Sequence, residues 1–246
     1  MSTLNEIEFE KYKQKGAYHW QRISYHPLER NAHVLARYRN MIKLMESSGG
    51  DPKGKRVLDV GCGDGVLSYL IAKEGASVSG VDYSDIAIRF ANEKTASLAI
   101  DFRQASAYEL PYDDNQFDGV VSSDVIEHLA DVSSYLDEMH RVTKPGGHII
   151  ISTPIRITEE PLDKMHVVEW FQSEFKDIIE AKWANSNYHY SHPIALMELN
   201  NRYIFGRPWL RLMINLLSFV HNPFEGFDTK FRYPAMQYSV SQKSEI

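Results

Sequence analysis

Apolar residues in this chain follow two rhythms, and the switching between them predicts the architecture. Across positions 55–155, short β-branched runs alternate with segments whose apolar residues recur every three or four positions. The first rhythm predicts strands near 56–60, 77–81, 100–104, 117–122 and 148–153. The second predicts helices near 65–73, 85–95, 124–129, 132–142 and 171–181. Strands separated by helices need crossover connections, so the sheet is expected to be largely parallel and covered on both faces. Upstream, Leu35, Tyr38, Ile42 and Met45 stand near helical spacing, and Ser47-Ser-Gly-Gly-Asp-Pro-Lys-Gly54 reads as a linker that breaks this helix. Residues 1–16 read as a mobile polar arm. Downstream, 182–246 is rich in aromatic residues, including Trp183, Tyr188, Tyr203, Phe205, Trp209, Phe219 and Phe231. A helix is expected there over 208–220 and a terminal antiparallel strand over 236–241.

A chain of 246 residues with 43% hydrophobic content can bury one large α/β core with an appendage. Its one cysteine, Cys62, excludes an intrachain disulfide and suits a reducing compartment, so a cytoplasmic location is expected. The polar N-terminus does not read as a secretory signal, and no apolar run approaches the roughly 20 residues that span a bilayer. A net charge of −6 argues against a broad phosphate-binding surface, so nucleic acid is not an expected partner. The helix over 208–220, flanked by Arg207 and Arg211, fits a buried cap or a membrane-surface contact, and the buried cap is the expectation.

The chemistry concentrates in Val57-Leu-Asp-Val-Gly-Cys-Gly-Asp-Gly65. Alternating glycines tolerate positive φ and let a ligand approach the backbone, which gives a sharp strand-to-helix turn. A dinucleotide site of the G-x-G-x-x-G type would need its third glycine at position 66, where Val66 stands. The G-x-G-x-G turn behind Asp59 better suits a zwitterionic amino-acid ligand, whose ammonium the carboxylate can hold. Asp82 closes the second expected strand, where an acid in a doubly wound sheet accepts hydrogen bonds from ribose hydroxyls. The plainer role for Asp82 is to cap the next helix, near Ser84 and Asp85. An aminoacyl group and a ribose together describe S-adenosylmethionine (AdoMet).

In motif order and content, the chain resembles the class I AdoMet-dependent methyltransferases over about residues 55–155. The family's first motif corresponds to residues 57–65 and its ribose acid to Asp82. Its third-strand, fourth and fifth motifs correspond to Gln104-Ala-Ser-Ala-Tyr-Glu-Leu-Pro111, Phe117-Asp-Gly-Val-Val-Ser-Ser123 and Lys144-Pro-Gly-Gly-His-Ile-Ile-Ile-Ser-Thr-Pro154. The resemblance implies a doubly wound, mostly parallel, seven-stranded Rossmann-like α/β fold. It implies an N-terminal arm and lid helix over 1–50, an AdoMet-binding domain over 51–182, and a substrate cap with the terminal strand over 183–246. Cofactor contacts are implied at Asp59, Gly61, Cys62, Gly63, Asp82, Tyr83, Ser106, Ala107 and Ser123. Ser106 takes the place of an acid that usually faces the adenine amino group. Tyr18, Trp20 and Arg37 are expected either as lid contacts or as simple packing of the N-terminal helix. Asp118 is expected at the sheet's amino edge, away from the ligand.

Methyl transfer from a sulfonium needs alignment, and a hydroxyl nucleophile must also lose a proton. After the fourth strand comes Asp124-Val-Ile-Glu-His-Leu129, where a helix would put Asp124, Glu127 and His128 on one face. Three readings stand open. His128 is a general base, its ordinary pKa of about 6.5 suiting neutral pH. Alternatively Asp124, Glu127 and His128 hold a divalent metal completed by His166, or Asp124-x-x-Glu127 is a capping box. The base is preferred, with Glu127 and His166 as its companions, and the metal is not favoured.

An acid-x-x-Glu-His motif is similar to that of the ubiquinone-biosynthesis O-methyltransferases, which can use a divalent metal at these residues. It is also similar to that of small-RNA 2′-O-methyltransferases, whose further ligand is a histidine in an H-x-x-E-W context, as in His166-Val-Val-Glu-Trp170. The first acid here is Asp rather than the usual Glu. The expected function is methyl transfer from AdoMet to a hydroxyl of a small molecule such as a sugar, a phenol or a secondary metabolite. The alternatives are a metal-dependent RNA 3′-terminal 2′-O-methyltransferase and a non-catalytic AdoMet-binding regulatory or scaffold protein.

Overall fold

Five strands begin the sheet: β1 (Arg56–Val60), β2 (Ser77–Asp82), β3 (Asp101–Gln104), β4 (Phe117–Ser123) and β5 (Thr143–Pro154). They pair in parallel in the order β3–β2–β1–β4–β5. Two more strands, β6 (Asn187–Pro193) and β7 (Pro234–Gln242), complete it as –β7–β6, with β7 antiparallel to both β5 and β6. This is the expected doubly wound, mostly parallel, seven-stranded architecture. The computed structural model describes residues 11–159, 165–201, 209–227 and 233–245.

Side-chain alternation along the strands divides the core between the two faces. Leu58, Val60, Val120, Ile149 and Ile151 point to one face, under α6 (Val132–Val142) and α7 (Gln172–Glu180). Val57, Val121, Ile150, Tyr238 and Val240 point to the other, under α3 (Ala32–Gly49) and α4 (Val66–Lys73). The predicted helical stripe Leu35, Tyr38, Ile42 and Met45 is buried on α3. That helix outruns its expected end, because the Ser47 and Ser48 hydroxyls donate back to Leu44 O and the turn comes only at Gly50, φ 75°.

The expected helix over 124–129 does not form. Asp124 sits at φ 55°, in the left-handed region, and only a 3₁₀ turn at Ile126–His128 follows. β5 starts earlier than expected, at Thr143, which pairs with Phe117 across an irregularity in register. β6 has no alternating pattern legible in the sequence. Asp118 accepts from Arg56 N–H (2.8 Å) and Lys144 Nζ (2.5 Å) at the amino edge of the sheet.

Two short N-terminal helices, α1 (Lys11–Lys15) and α2 (Tyr18–Arg22), precede α3, with α5 (Asp85–Lys94) between β2 and β3. The predicted polar arm therefore carries structure in its last residues, Tyr12 being buried, while 1–10 lie outside the described residues. A cap of α8 (Ile194–Asn201) and α9 (Trp209–Leu217) docks on α3 through Ala32, Ala36, Ile214, Phe224, Leu196 and Met197. Buried Asn215 fastens this joint, accepting from Ala32 N–H and donating to Arg30 O and Pro27 O. The expected burial of α9 holds for Ile214 and Asn215 but not for Trp209, Met213, Leu216 and Leu217, which are exposed. Its expected start at 208, with Arg207, Tyr203, Phe205 and Phe231, lies outside the described residues. Among the described residues, no helix is long and apolar enough to cross a membrane.

Candidate functional site

The strand order reverses between β1 and β4, and open α/β sheets bind ligands beyond the carboxyl ends of strands at such a switch. A cavity of about 950 Å³ opens there, walled by the glycine turn, the β2 and β4 ends, the segment after β5, α3 and α8. It is at the large end of the about 300–1,000 Å³ usual for small-molecule sites, leaving room for a nucleoside and a second molecule.

Asp59, Gly61, Cys62, Gly63, Asp82, Tyr83, Ala107 and Ser123 all line it, as do Glu127, His128 and His166. Ser106 is not among the lining residues: its hydroxyl accepts Tyr108 N–H at 3.1 Å, tightening the loop locally, and Ala105 and Ala107 face the cavity. Tyr18 and Arg37 line the cavity. Trp20 instead donates Nε1–H to Asp64 O at 2.7 Å and packs on Tyr69.

Gly63, at φ 54°, belongs to the turn for a steric reason as well: a Cβ there would fall on the Tyr12 hydroxyl. Its N–H and that of Ser84 donate to the two Asp82 oxygens at 2.8 and 2.9 Å, leaving lone pairs on both oxygens. Burial raises the Asp82 carboxyl above its ordinary range, opposed by those two N–H groups. The α5 cap is Ser84, whose Oγ accepts from Ala87 N–H, so Asp82 does not serve as that cap. Asp59 is buried on a 2.6 Å hydrogen bond from Ser68, and desolvation, reinforced by Asp82, pushes it up to about 7.

The sequence did not point to Tyr12, His19, Tyr38 or Asp64. Asp64 is buried behind the turn and accepts from His19 N–H (3.0 Å) and His19 Nδ1 (3.1 Å), drawing the N-terminal segment onto the cavity. The only signal for it was its place inside the glycine motif.

At the far wall, the backbone at Asp124 parts it from Glu127 and His128, with which a helix would have aligned it. Asp124 turns to α3 and forms an ion pair with Arg37, so the capping box weighed as an alternative is absent and Asp124 leaves the metal-ligand set. Glu127 is fully buried; its Oε2 accepts from Thr153 Oγ1 at 3.0 Å, and Oε1 has no hydrogen-bond partner among the described residues. Burial, then Asp124, raises its carboxyl well above the ordinary range. His128 Nδ1–H donates to Met165 O (2.9 Å) and His166 Nδ1–H to Glu169 Oε1 (2.5 Å), which puts both ring lone pairs on Nε2. One ligand atom from each of Glu127, His128 and His166 lies within 4.8 Å of the others.

Residues 51–196 match the protein family described as a methyltransferase domain. The chain is 34% identical over 161 residues to the ubiquinone biosynthesis O-methyltransferase of Rhizobium leguminosarum bv. trifolii, covering 62% of this chain and 64% of that protein. It thus spans less than two thirds of that relative's length. Haemonchus contortus phosphoethanolamine N-methyltransferase 2, solved with S-adenosyl-L-methionine, superposes with a TM-score of 0.67 at 17% identity, covering all of this chain and 60% of the other. The [4+2]-cyclase SpnF superposes at 0.58 with 18% identity, covering 84% and 80%. One sheet thus carries different reactions, so the reaction has to be argued from the site.

Proposed function

The chain belongs to the methyltransferase-domain family, and from that premise we propose that it is a cytoplasmic enzyme that transfers a methyl group from AdoMet to a hydroxyl of a small molecule such as a phenol or a sugar. The observation that carries this reading is a single cavity joining the glycine turn, Asp59 and Asp82 to the His128 imidazole. The donor set fits the cofactor. Asp59 can take the aminoacyl ammonium, and the remaining lone pairs of Asp82 suit ribose hydroxyls. When bound, AdoMet supplies an activated methyl group and a thioether leaving group.

The protein's part is to position the acceptor and move its proton. His128 Nε2 carries the lone pair that accepts the hydroxyl proton, and Met165 O fixes the tautomer. Ile155, Ile157, Val167, Ile194 and Met197 offer an apolar wall for the body of the acceptor. Among the described lining residues, six carboxyl groups (Asp59, Asp82, Asp124, Glu127, Glu169 and Glu198) face one guanidinium, Arg37. That guanidinium is already paired with Asp124, which disfavours anionic acceptors and weighs against an RNA terminus. A second reading rests on the Glu127, His128 and His166 cluster: two Nδ1–H groups held by a carbonyl and a carboxylate is how metal-binding histidines are commonly oriented.

Calorimetric titration tests the premise: AdoMet and its demethylated product should both bind, with neither NAD nor ATP competing. Methyl transfer to a panel of phenols and sugars should follow. NAD binding without response to AdoMet would overturn the proposal.

A further inference from the structure

The rings over the glycine turn form a cluster that the transfer chemistry alone does not require. Tyr12 lies with its hydroxyl against Gly63, its ring centroid 5.5 Å from that of Tyr18 and 6.0 Å from that of His19. Tyr18 and His19 are 4.0 Å apart, and His19 is 6.4 Å from Tyr38. All four rings line the cavity beside Asp59 and Asp82, with Asp64 buried beneath His19. Rings of this cluster already take cations on their faces: Lys15 Nζ lies 5.9 Å from the Tyr18 centroid, and Arg37 Cζ 4.9 Å from that of Tyr38. The Arg37 charge is met by Asp124, so it does not cancel the acids at the turn.

Aromatic faces bordered by carboxylates make a cation receptor, because the ring quadrupole and the acids attract the same charge. We propose that Tyr12 and Tyr18, with Tyr38 and His19 behind them, select the cationic form of the cofactor and let its neutral product go. This rests on AdoMet occupying the cavity. Transfer breaks the sulfonium carbon–sulfur bond and leaves its electron pair on sulfur, so the cofactor loses one positive charge. A site that reads that charge holds the substrate form more tightly than the product and relieves product inhibition. An ordinary packing role for the rings would treat both forms alike.

The experiment is calorimetry on the full chain with three ligands: AdoMet, its analogue bearing a protonated amine in place of the methylsulfonium, and the thioether S-adenosylhomocysteine. The wild type should hold both cations about 2- to 30-fold more tightly than the thioether, the span of one or two cation–π contacts. Tyr12→Leu and Tyr18→Leu should each erode that preference while leaving thioether affinity unchanged. Tyr12→Phe and Tyr18→Phe, which keep the ring, should preserve it. Equal weakening of all three ligands in the Leu variants reduces the rings to wall material and overturns the proposal. So does a wild type without preference. If none of the three binds the folded wild type, the AdoMet reading fails and takes this inference with it. Thermal melts of each variant identify any loss that comes from unfolding, and the Phe variants keep the question decidable there.

Discussion

His128 and His166 meet ring to ring, 4.9 Å between centroids and 74° between planes. Each turns its Nδ1–H outward, to Met165 O and Glu169 respectively, and its Nε2 lone pair faces the other way. A lone pair there serves either as a proton acceptor or as a cation ligand, and buried Glu127 brings a carboxylate oxygen within 4.8 Å of a ring nitrogen of each.

As a base, His128 should be sensitive to removal and indifferent to metal. We expect His128→Ala to lower kcat by roughly 10²–10⁴-fold, and His166→Ala by less. Chelator should leave the rate unchanged. If chelation abolishes turnover, added divalent ion restores it and His166→Ala matches His128→Ala, the cation reading replaces the base.

The buried Asp59 makes the unliganded protein's stability depend on pH. Its carboxyl is pushed up to about 7, whereas an unfolded Asp titrates at about 3.9. The raised group favours the protonated folded state, so its contribution is fully present below about pH 4 and is lost as pH rises through 7. Asp59→Asn removes this titration. The wild type should therefore lose stability relative to Asp59→Asn between pH 4 and 8, on the order of 2–4 kcal/mol. Urea denaturation at several pH values measures the difference, and parallel profiles for the two proteins would refute the assignment. A cationic ligand pulls the group back toward ionisation, so AdoMet affinity should rise from pH 5.5 to 7.5 more steeply in the wild type than in the variant.

Arg37 and Asp124 join α3 to the end of β4, with side chains only 11% and 19% exposed. Losing one partner strands the other charge, at a cost of up to about 3–5 kcal/mol for a buried pair. Arg37→Leu or Asp124→Asn should each destabilise the fold, while the double variant should cost clearly less than the sum, as residues in contact couple. Additive losses in a denaturation cycle would show that the pair contributes little.

Strand positions, the glycine turn and the acid at the β2 end were legible because short-range pattern determines them. Asp124 was not. Asp-x-x-Glu-His has helical spacing, but Asp124 at φ 55° and its ion pair with Arg37 depend on a helix far away in sequence. Tyr12 was hidden for the same reason, inside a stretch read as a polar arm, while His19 stood unmarked between Tyr18 and Trp20 because its hold on Asp64 joins residues far apart in sequence. Glu169 was visible in the His166-Val-Val-Glu-Trp170 string, although its hydrogen bond to His166 needed the structure. β6 escaped because its burial comes from joining β7, without an alternating pattern of its own.

Asp82 and Ser84 stand two residues apart, and their roles can be separated. Ser84 Oγ caps α5 through Ala87 N–H, so Ser84→Ala should cost about 0.5–2 kcal/mol of stability and leave cofactor affinity unchanged. Asp82 keeps lone pairs toward the cavity beyond those used by Gly63 and Ser84 N–H. If they take the ribose hydroxyls, Asp82→Ala should weaken AdoMet by about 1.5–3 kcal/mol, the range for hydrogen bonds to a charged group. The ribose contact should also be selective, so the 2′-deoxy cofactor should bind the wild type more weakly and Asp82→Ala little differently from AdoMet. Unchanged affinity in folded Asp82→Ala would confine this carboxylate to bracing the glycine turn. A loss equal for ribose and deoxyribose forms would mean that the turn itself had collapsed.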